Sequence, residues 1–257
     1  MKICLGTVCW GGYLERYINI FVDNYITLFK KLISLDVSWA NIPDPKIVYV
    51  QGDDIPGFNT EAAMIKLKKA TGKDLKLVCD RHKYTVDTIM YSTRNRLRNE
   101  FKKDFPDEEK VYFYFPIDDR IRSEAVLELI KLARAKTPSA CMFKFFVDQG
   151  GNNFIAGTRP ICSYKDIHPG DWGGYCAYNI LKEDECPLYP KIAIPNVAFY
   201  AELYKAGYKQ YESEKICIDH LRHGDSHHFK YKDSTMATNV RNYLMKVREQ
   251  FAKEGLK

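Results

Sequence analysis

The chain has 257 residues, 46% hydrophobic and 28% charged, which is enough apolar material for one large α/β domain or two small ones. Its net charge of +6 suits an anionic ligand such as a nucleotide diphosphate, but the basic residues form no long run of the kind a nucleic-acid-binding tail carries. The eight cysteines contain no C-x-x-C pair, and no apolar stretch approaches a membrane span, which argues against a zinc ribbon, a disulfide framework and a transmembrane helix. Buried free thiols in a reducing compartment, the cytoplasm, are the expectation. The opening "MKICLGTVCWGG" is too short in its apolar part for a signal peptide and reads as a first strand over Lys2 to Val8.

Leu14, Tyr17, Ile18, Phe21, Val22, Tyr25, Leu28, Phe29 and Leu32 then recur at spacings of three and four, the signature of an amphipathic helix. "PKIVYVQGDD" is an apolar strand that ends on Gly and two acids. Glu61 to Ala70 reads as a helix with Thr60 as its N-cap, and "LKLVCD" as a short buried strand. Thr85 to Phe101 is helical and carries a basic cluster, Arg94, Arg96, Arg98, Lys102 and Lys103, which reads as well as a solvated face as it does as a ligand surface. "KVYFYFPIDD" is a strand ending on paired acids, followed by a helix over Ser123 to Ala135 with Ser123 as cap. Short apolar strands alternating with helices predict a parallel sheet covered on both faces, with ligands at the carboxyl ends of its strands. The second half brings a strand and turn in "CMFKFFVDQGGNNFIAG", a glycine-rich loop in "HPGDWGGYCAYNIL", and a helix from Asn196 to Lys205 stopped by Gly207. It closes with a strand in "EKICIDHLRHG" and an amphipathic helix from Met236 to Lys253, able to pack back on the domain or to form a homodimer.

Four segments in this order resemble the GT-A glycosyltransferases, the family 2-like ones in particular. They are "CLGTVCW", "STRNRLRNEF", "VYFYFPIDDRI" and "AFYAELYKAGYKQYESEKICIDHLRHG". The first is similar to the family's opening strand, the second to a helix with an Arg-Asn pair. The third is similar to the strand that ends in the D-x-D motif, and the last to a helix, an "aGyk" turn and a strand ending in His. The resemblance implies a Rossmann-like α/β GT-A fold with a mainly parallel central sheet and a smaller mixed acceptor-side region. Residues 1–235 would form the catalytic domain, with 1–135 as its nucleotide-sugar half and 136–235 as its acceptor and metal half, and 236–257 would be the terminal helix.

It further implies a glycosyltransferase with a nucleotide-diphospho-sugar donor, a UDP-sugar in first place, and a divalent Mn²⁺ or Mg²⁺. The charge that develops on a departing diphosphate calls for a hard cation on oxygen ligands, which Asp118 and Asp119 would supply, with His220 as the third, family-like ligand. The bland alternative for the Asp pair is an N-cap of the helix that follows. Pro116 stands where the family has the first Asp of D-x-D. Thr7 and Cys9 lie where the family contacts base or ribose, Trp10 can stack on the base, and Asp53 or Asp54 can accept hydrogen bonds from base or ribose. Arg94 can pair with the diphosphate. Trp172, Gly173 and Gly174 would line the acceptor pocket.

Asn196 stands where many family members carry the catalytic Asp, and an amide is no general base. Asp171 and Glu202 are the replacements the sequence offers. A second histidine group, His220, His223, His227 and His228, lacks the helical spacing of a hydrolytic zinc site. Two rivals share the fold, a nucleotidyltransferase and a binding protein without catalysis. The first is disfavoured because "GTVCWGG" has no basic residue until Arg16. The acceptor is open to a glycan, a protein or a nucleic-acid base.

Overall fold

The computed structural model describes residues 1–9, 12–50, 56–83, 86–148, 153–157, 159–168, 174–192, 196–220 and 234–255. Strand β1 (Lys2–Cys9) leads to helix α1 (Tyr13–Ser34), whose stripe from Leu14 to Leu32 is buried as the periodicity predicts. Strand β2 (Lys46–Val50), helix α2 (Phe58–Thr71), strand β3 (Lys76–Asp80), helix α3 (Val86–Asp104) and strand β4 (Lys110–Tyr114) complete the alternating half. The two-residue strand β5 (Arg120–Ile121), helix α4 (Ala125–Arg134), and strands β6 (Ser139–Val147), β7 (Phe154–Gly157) and β8 (Cys176–Ile180) follow. Helix α5 (Asn196–Lys205), strand β9 (Lys209–His220) and helix α6 (Ser234–Lys253) close the described chain.

The nine strands of the described residues form one sheet in the order β3-β2-β1-β4-β8-β6-β9-β5, with β7 added to β6. The run from β3 to β4 is parallel; β8 is antiparallel to β4 and β6, whereas β6 and β9 are parallel. Two apolar clusters cover the faces. Side chains of α1, α2 and α4 pack on one side, and those of α3, α5 and α6 on the other. This is the three-layer α/β arrangement with a mixed second half. Gly6 permits the closeness of α3 to β1, because a Cβ there would lie 3.1 Å from Leu97.

Several local expectations are corrected. Thr60 is not the cap of α2, which starts at Phe58 after Gly57. The cap comes instead from another helix. Glu15 of α1 accepts from the backbone N–H of Gly57 (3.0 Å), Asn59 (2.6 Å) and Thr60 (3.2 Å), and from the Thr60 hydroxyl (2.7 Å). Ser123 does not cap α4 either. The chain enters that helix through tight turns, Ala125 N–H to Arg122 O and Val126 N–H to Ser123 O, both 3.1 Å, so these donors need no side chain. Residues 120–121 are strand rather than helix, paired antiparallel to β9, which removes the N-cap reading of the Asp pair.

Gly207, with φ +81°, ends α5 as expected. The basic face of α3 is split, with Arg94 and Arg98 buried and Arg96, Lys102 and Lys103 exposed. Helix α6 packs back on the domain through Leu244, Val247 and Phe251, so a homodimer through this helix would have to use its other face. Among the described residues no helix is long and apolar enough to cross a membrane.

Candidate functional site

The topology brings three strand ends to one edge of the sheet. Strand β4 ends there, the antiparallel β8 begins there, and β9 ends there, since Phe113 pairs with Ala177 and Val147 of β6 with His220. From β4 the chain crosses this edge through residues 115–119 to reach β5, which pairs with β9 at the far side. The acids Asp118 and Asp119 sit on that crossing.

Asp119 is fully buried, and both of its oxygens are used. The Tyr175 hydroxyl donates to Oδ2 in a short contact, and the His220 Nδ1–H donates to Oδ1 at 2.9 Å. The Tyr175 oxygen also lies 3.0 Å from His220 Nδ1. The hydrogen bond to Asp119 holds the His220 pKa above its ordinary value, against the opposing effect of burial. Burial first, then the Asp119 charge, keeps the Tyr175 phenol protonated. With Nδ1 donating, the neutral ring keeps its lone pair on Nε2, the arrangement in which a carboxylate fixes the tautomer of a metal-binding histidine.

The backbone here is set by α1. Asn24, buried inside the apolar stripe, donates to the Asp119 carbonyl at 2.7 Å and accepts from the Ile121 N–H at 3.0 Å. Asn24 and Tyr175 were not singled out from the sequence. A polar residue between Phe21 and Tyr25 on a buried helix face was the available signal for Asn24. Tyr175, next to two glycines, carried none.

Asp118 is half-buried, and its charge reaches His220, Tyr175 and Tyr114. Among the described residues no three His, Cys, Asp or Glu side chains gather closely enough to cage a metal ion. A cation that takes most of its shell from phosphate and water needs only one or two protein ligands, and a half-buried carboxylate with an imidazole would meet that need. Asp118 and His220 are the residues that could supply such a partial set, whereas both oxygens of Asp119 are taken by Tyr175 and His220.

A second polar centre lies against the Tyr114 ring. Arg94 of α3 is only 4% exposed and donates through Nη1 to the Asn196 side-chain oxygen in a short contact. Its guanidinium lies 4.5 Å from the centre of the Tyr114 ring and 5.3 Å from that of Tyr189. Asn95 places Tyr189 by a pair of bonds, Nδ2 to the Tyr189 carbonyl at 3.0 Å and the Tyr189 N–H to Oδ1 at 2.9 Å. Arg98 braces the same segment through Glu183 and the carbonyls of Glu183, Cys186 and Pro187.

The remaining sequence candidates divide. Thr7 and Cys9 are buried in β1, with Cys9 packed in the core on the α1 face. Glu202 accepts a hydrogen bond from Tyr243 of α6, which joins α5 to the last helix. The Gly174 carbonyl accepts from the Tyr200 hydroxyl at 2.7 Å. Trp10, Asp53, Asp54, Asp171, Trp172, Gly173 and the histidines at 223, 227 and 228 lie outside the described residues.

No protein-family model and no curated protein matches the chain. Solved structures do. A crystal structure of S. aureus TarS 1-349 in complex with UDP-GlcNAc matches 96% of this chain at 13% identity, with a TM-score of 0.61. The same fragment in complex with UDP matches 96% at 12% identity and a TM-score of 0.56. A third TarS structure covers 86% at 14% identity and a TM-score of 0.55. This chain spans 60% to 66% of the length of those structures. At such identities the likeness concerns the fold alone, an α/β arrangement of GT-A type.

Proposed function

We propose that the chain is a metal-dependent glycosyltransferase that takes a nucleotide-diphospho-sugar, a UDP-sugar first, and moves the sugar to an acceptor. The observation that carries the reading is the Asp119–His220–Tyr175 cluster at the edge where β4, β8 and β9 meet. It is supported by a fold shared over 96% of the chain with a protein crystallised with UDP-GlcNAc. Asp118 and His220 would hold Mn²⁺ or Mg²⁺, which when bound would neutralise the charge on the departing diphosphate.

The chain's own residues do the positioning. Asn24 fixes the backbone that carries the acids, Asp119 orients the imidazole, and Tyr175 ties the two together. Asn196 cannot take a proton from an acceptor, and its oxygen is engaged by Arg94. Glu202 is engaged by Tyr243. Asp171 and Glu202 are the bases the sequence offers.

The engaged amide at Asn196 is also the observation that favours a second reading, a nucleotide-sugar-binding protein without turnover. One experiment addresses both. The full chain is incubated with UDP-, GDP- and dTDP-sugars and Mn²⁺, and released nucleoside diphosphate and bound ligand are measured. Release supports the transferase and binding without release supports the second reading. The absence of binding by any nucleotide-sugar removes both.

A further inference from the structure

Arg94 carries a full charge in a buried place, and no carboxylate of a described residue answers it. Its partners are the Asn196 amide oxygen, the Tyr114 hydroxyl, which accepts a hydrogen bond from it, and the faces of Tyr114 and Tyr189. Its Nε has no hydrogen-bond partner among the described residues. A buried cation without a counter-charge is costly, and proteins that keep one commonly supply the anion from a ligand. A second, independent feature points the same way. Asn196 is the first residue of α5, a ten-residue helix, so the guanidinium meets the helix at its N-terminal end. There the backbone N–H groups lack intrahelical partners and the dipole favours negative charge. Two positive features meet at one point, joined by a neutral amide.

Tyr114 links this point to the Asp119–His220 cluster, and Tyr200 links it to the Gly174 segment. Tyr114, at the end of β4, has Arg94 against its ring and is reached by the charges of Asp118 and Asp119. Tyr200, close enough to Arg94 to feel its charge, is bonded to the Gly174 carbonyl, in the segment where an acceptor pocket is expected. We propose that Arg94 and the N-terminus of α5 form an oxyanion site of phosphate class, filled by an anionic group of the acceptor rather than by the donor's diphosphate. The existence of the site does not depend on the transferase reading; its assignment to the acceptor rests on it.

The test uses inorganic phosphate as the probe. Its binding to the full chain is measured by calorimetry in a phosphate- and sulfate-free buffer, with and without saturating UDP and Mn²⁺. The decisive variant is Asn196→Asp, which places a carboxylate against the guanidinium at a helix position that favours acids. It should lose phosphate affinity by about tenfold or more, the scale of a charge-assisted hydrogen bond, and should melt at a higher temperature than the wild type. Arg94→Gln should lose phosphate binding as well. The wild type should bind phosphate equally with UDP present. Unchanged phosphate affinity in Asn196→Asp, or no phosphate binding by the wild type, overturns the site. Competition between phosphate and UDP overturns the acceptor assignment. Phosphate binding by a chain that binds no nucleotide leaves the site standing and removes the proposed function.

Discussion

Asn24 donates its side-chain amide to the backbone carbonyl of Asp119 at 2.7 Å, so the first helix holds the carboxylate that orients His220. The same side chain accepts from Ile121 on the other side of Arg120. It thereby gives the crossing from β4 to β5 both a donor and an acceptor in a buried place. Replacing Asn24 by Leu keeps the volume but leaves a buried carbonyl and a buried N–H unpaired. The expected cost is about 2 kcal/mol, within the range for orphaned buried groups. Urea denaturation measures it, and a loss well below 0.5 kcal/mol would mean the crossing holds without its clamp.

Asp118 is half-buried and sits beside a fully buried neighbour, so truncating it should leave the fold intact. Asp118→Ala is expected to cut Mn²⁺-dependent affinity for a nucleoside diphosphate by about tenfold or more, the scale of one charged ligand contact. Calorimetry with UDP, with and without Mn²⁺, reads this directly. Equal UDP affinity in both proteins would show that Asp118 is no ligand.

Much of this architecture is legible in the residues. The apolar stripe of α1 and the runs in β1, β2 and β4 fix the alternating half, because burial on both faces of a parallel sheet demands continuous apolar strands. The pairing of Asp119 with His220 also matches segments that were singled out, "PIDD" and "CIDH". What the sequence conceals is long-range. Glu15 caps a helix 42 residues away, so Thr60 looked like the cap by local rules. Arg94 and Arg98 belong to a basic cluster that by itself reads equally as a solvated face or a ligand surface, and tertiary partners at Asn196 and Glu183 draw both inward. Tyr175 joins the site only because β8 runs antiparallel to β4, which no local spacing encodes.

Glu15 ties the start of α1 to the start of α2, and therefore holds together the exits of β1 and β2. Its hydrogen bonds, led by that from Thr60, hold its pKa below the usual carboxylate value although partial burial opposes them. A lowered folded pKa means this stability is present above the unfolded value, near 4.5, and is lost as pH falls through the folded one. Glu15→Gln should cost about 1 kcal/mol, in the range of a lost cap, and should flatten the acid limb of the stability curve. Thermal melts from pH 7 to 3 test both. An acid limb as steep in Glu15→Gln as in the wild type would assign the loss to other carboxylates.

His220 gives the sharpest pH signature, and its sign follows from Asp119. The hydrogen bond to Asp119 raises the His220 pKa above 6.5, its ordinary value. A raised folded pKa makes the protonated ring a stabilising element. That contribution is fully present below the unfolded value and is lost as pH rises through the folded one. Metal binding has the opposite requirement, since the ring must be neutral to ligate. Mn²⁺ affinity should therefore begin to fall at a pH above 6.5 as acid is added, earlier than an unperturbed histidine would dictate. Asp119→Asn removes the carboxylate and should bring the His220 titration down, which an NMR titration of the ring protons reports without any metal. The same variant should move the Mn²⁺ pH profile down in parallel. His220→Gln should abolish the profile between pH 6 and 8 while leaving the dependence of the carboxylates near pH 4. If Asp119→Asn leaves the ring titration where it is, the bond to Asp119 does not set the protonation of His220. If the ring titration moves but the Mn²⁺ profile does not, His220 is ordered by Asp119 for a purpose other than holding the metal.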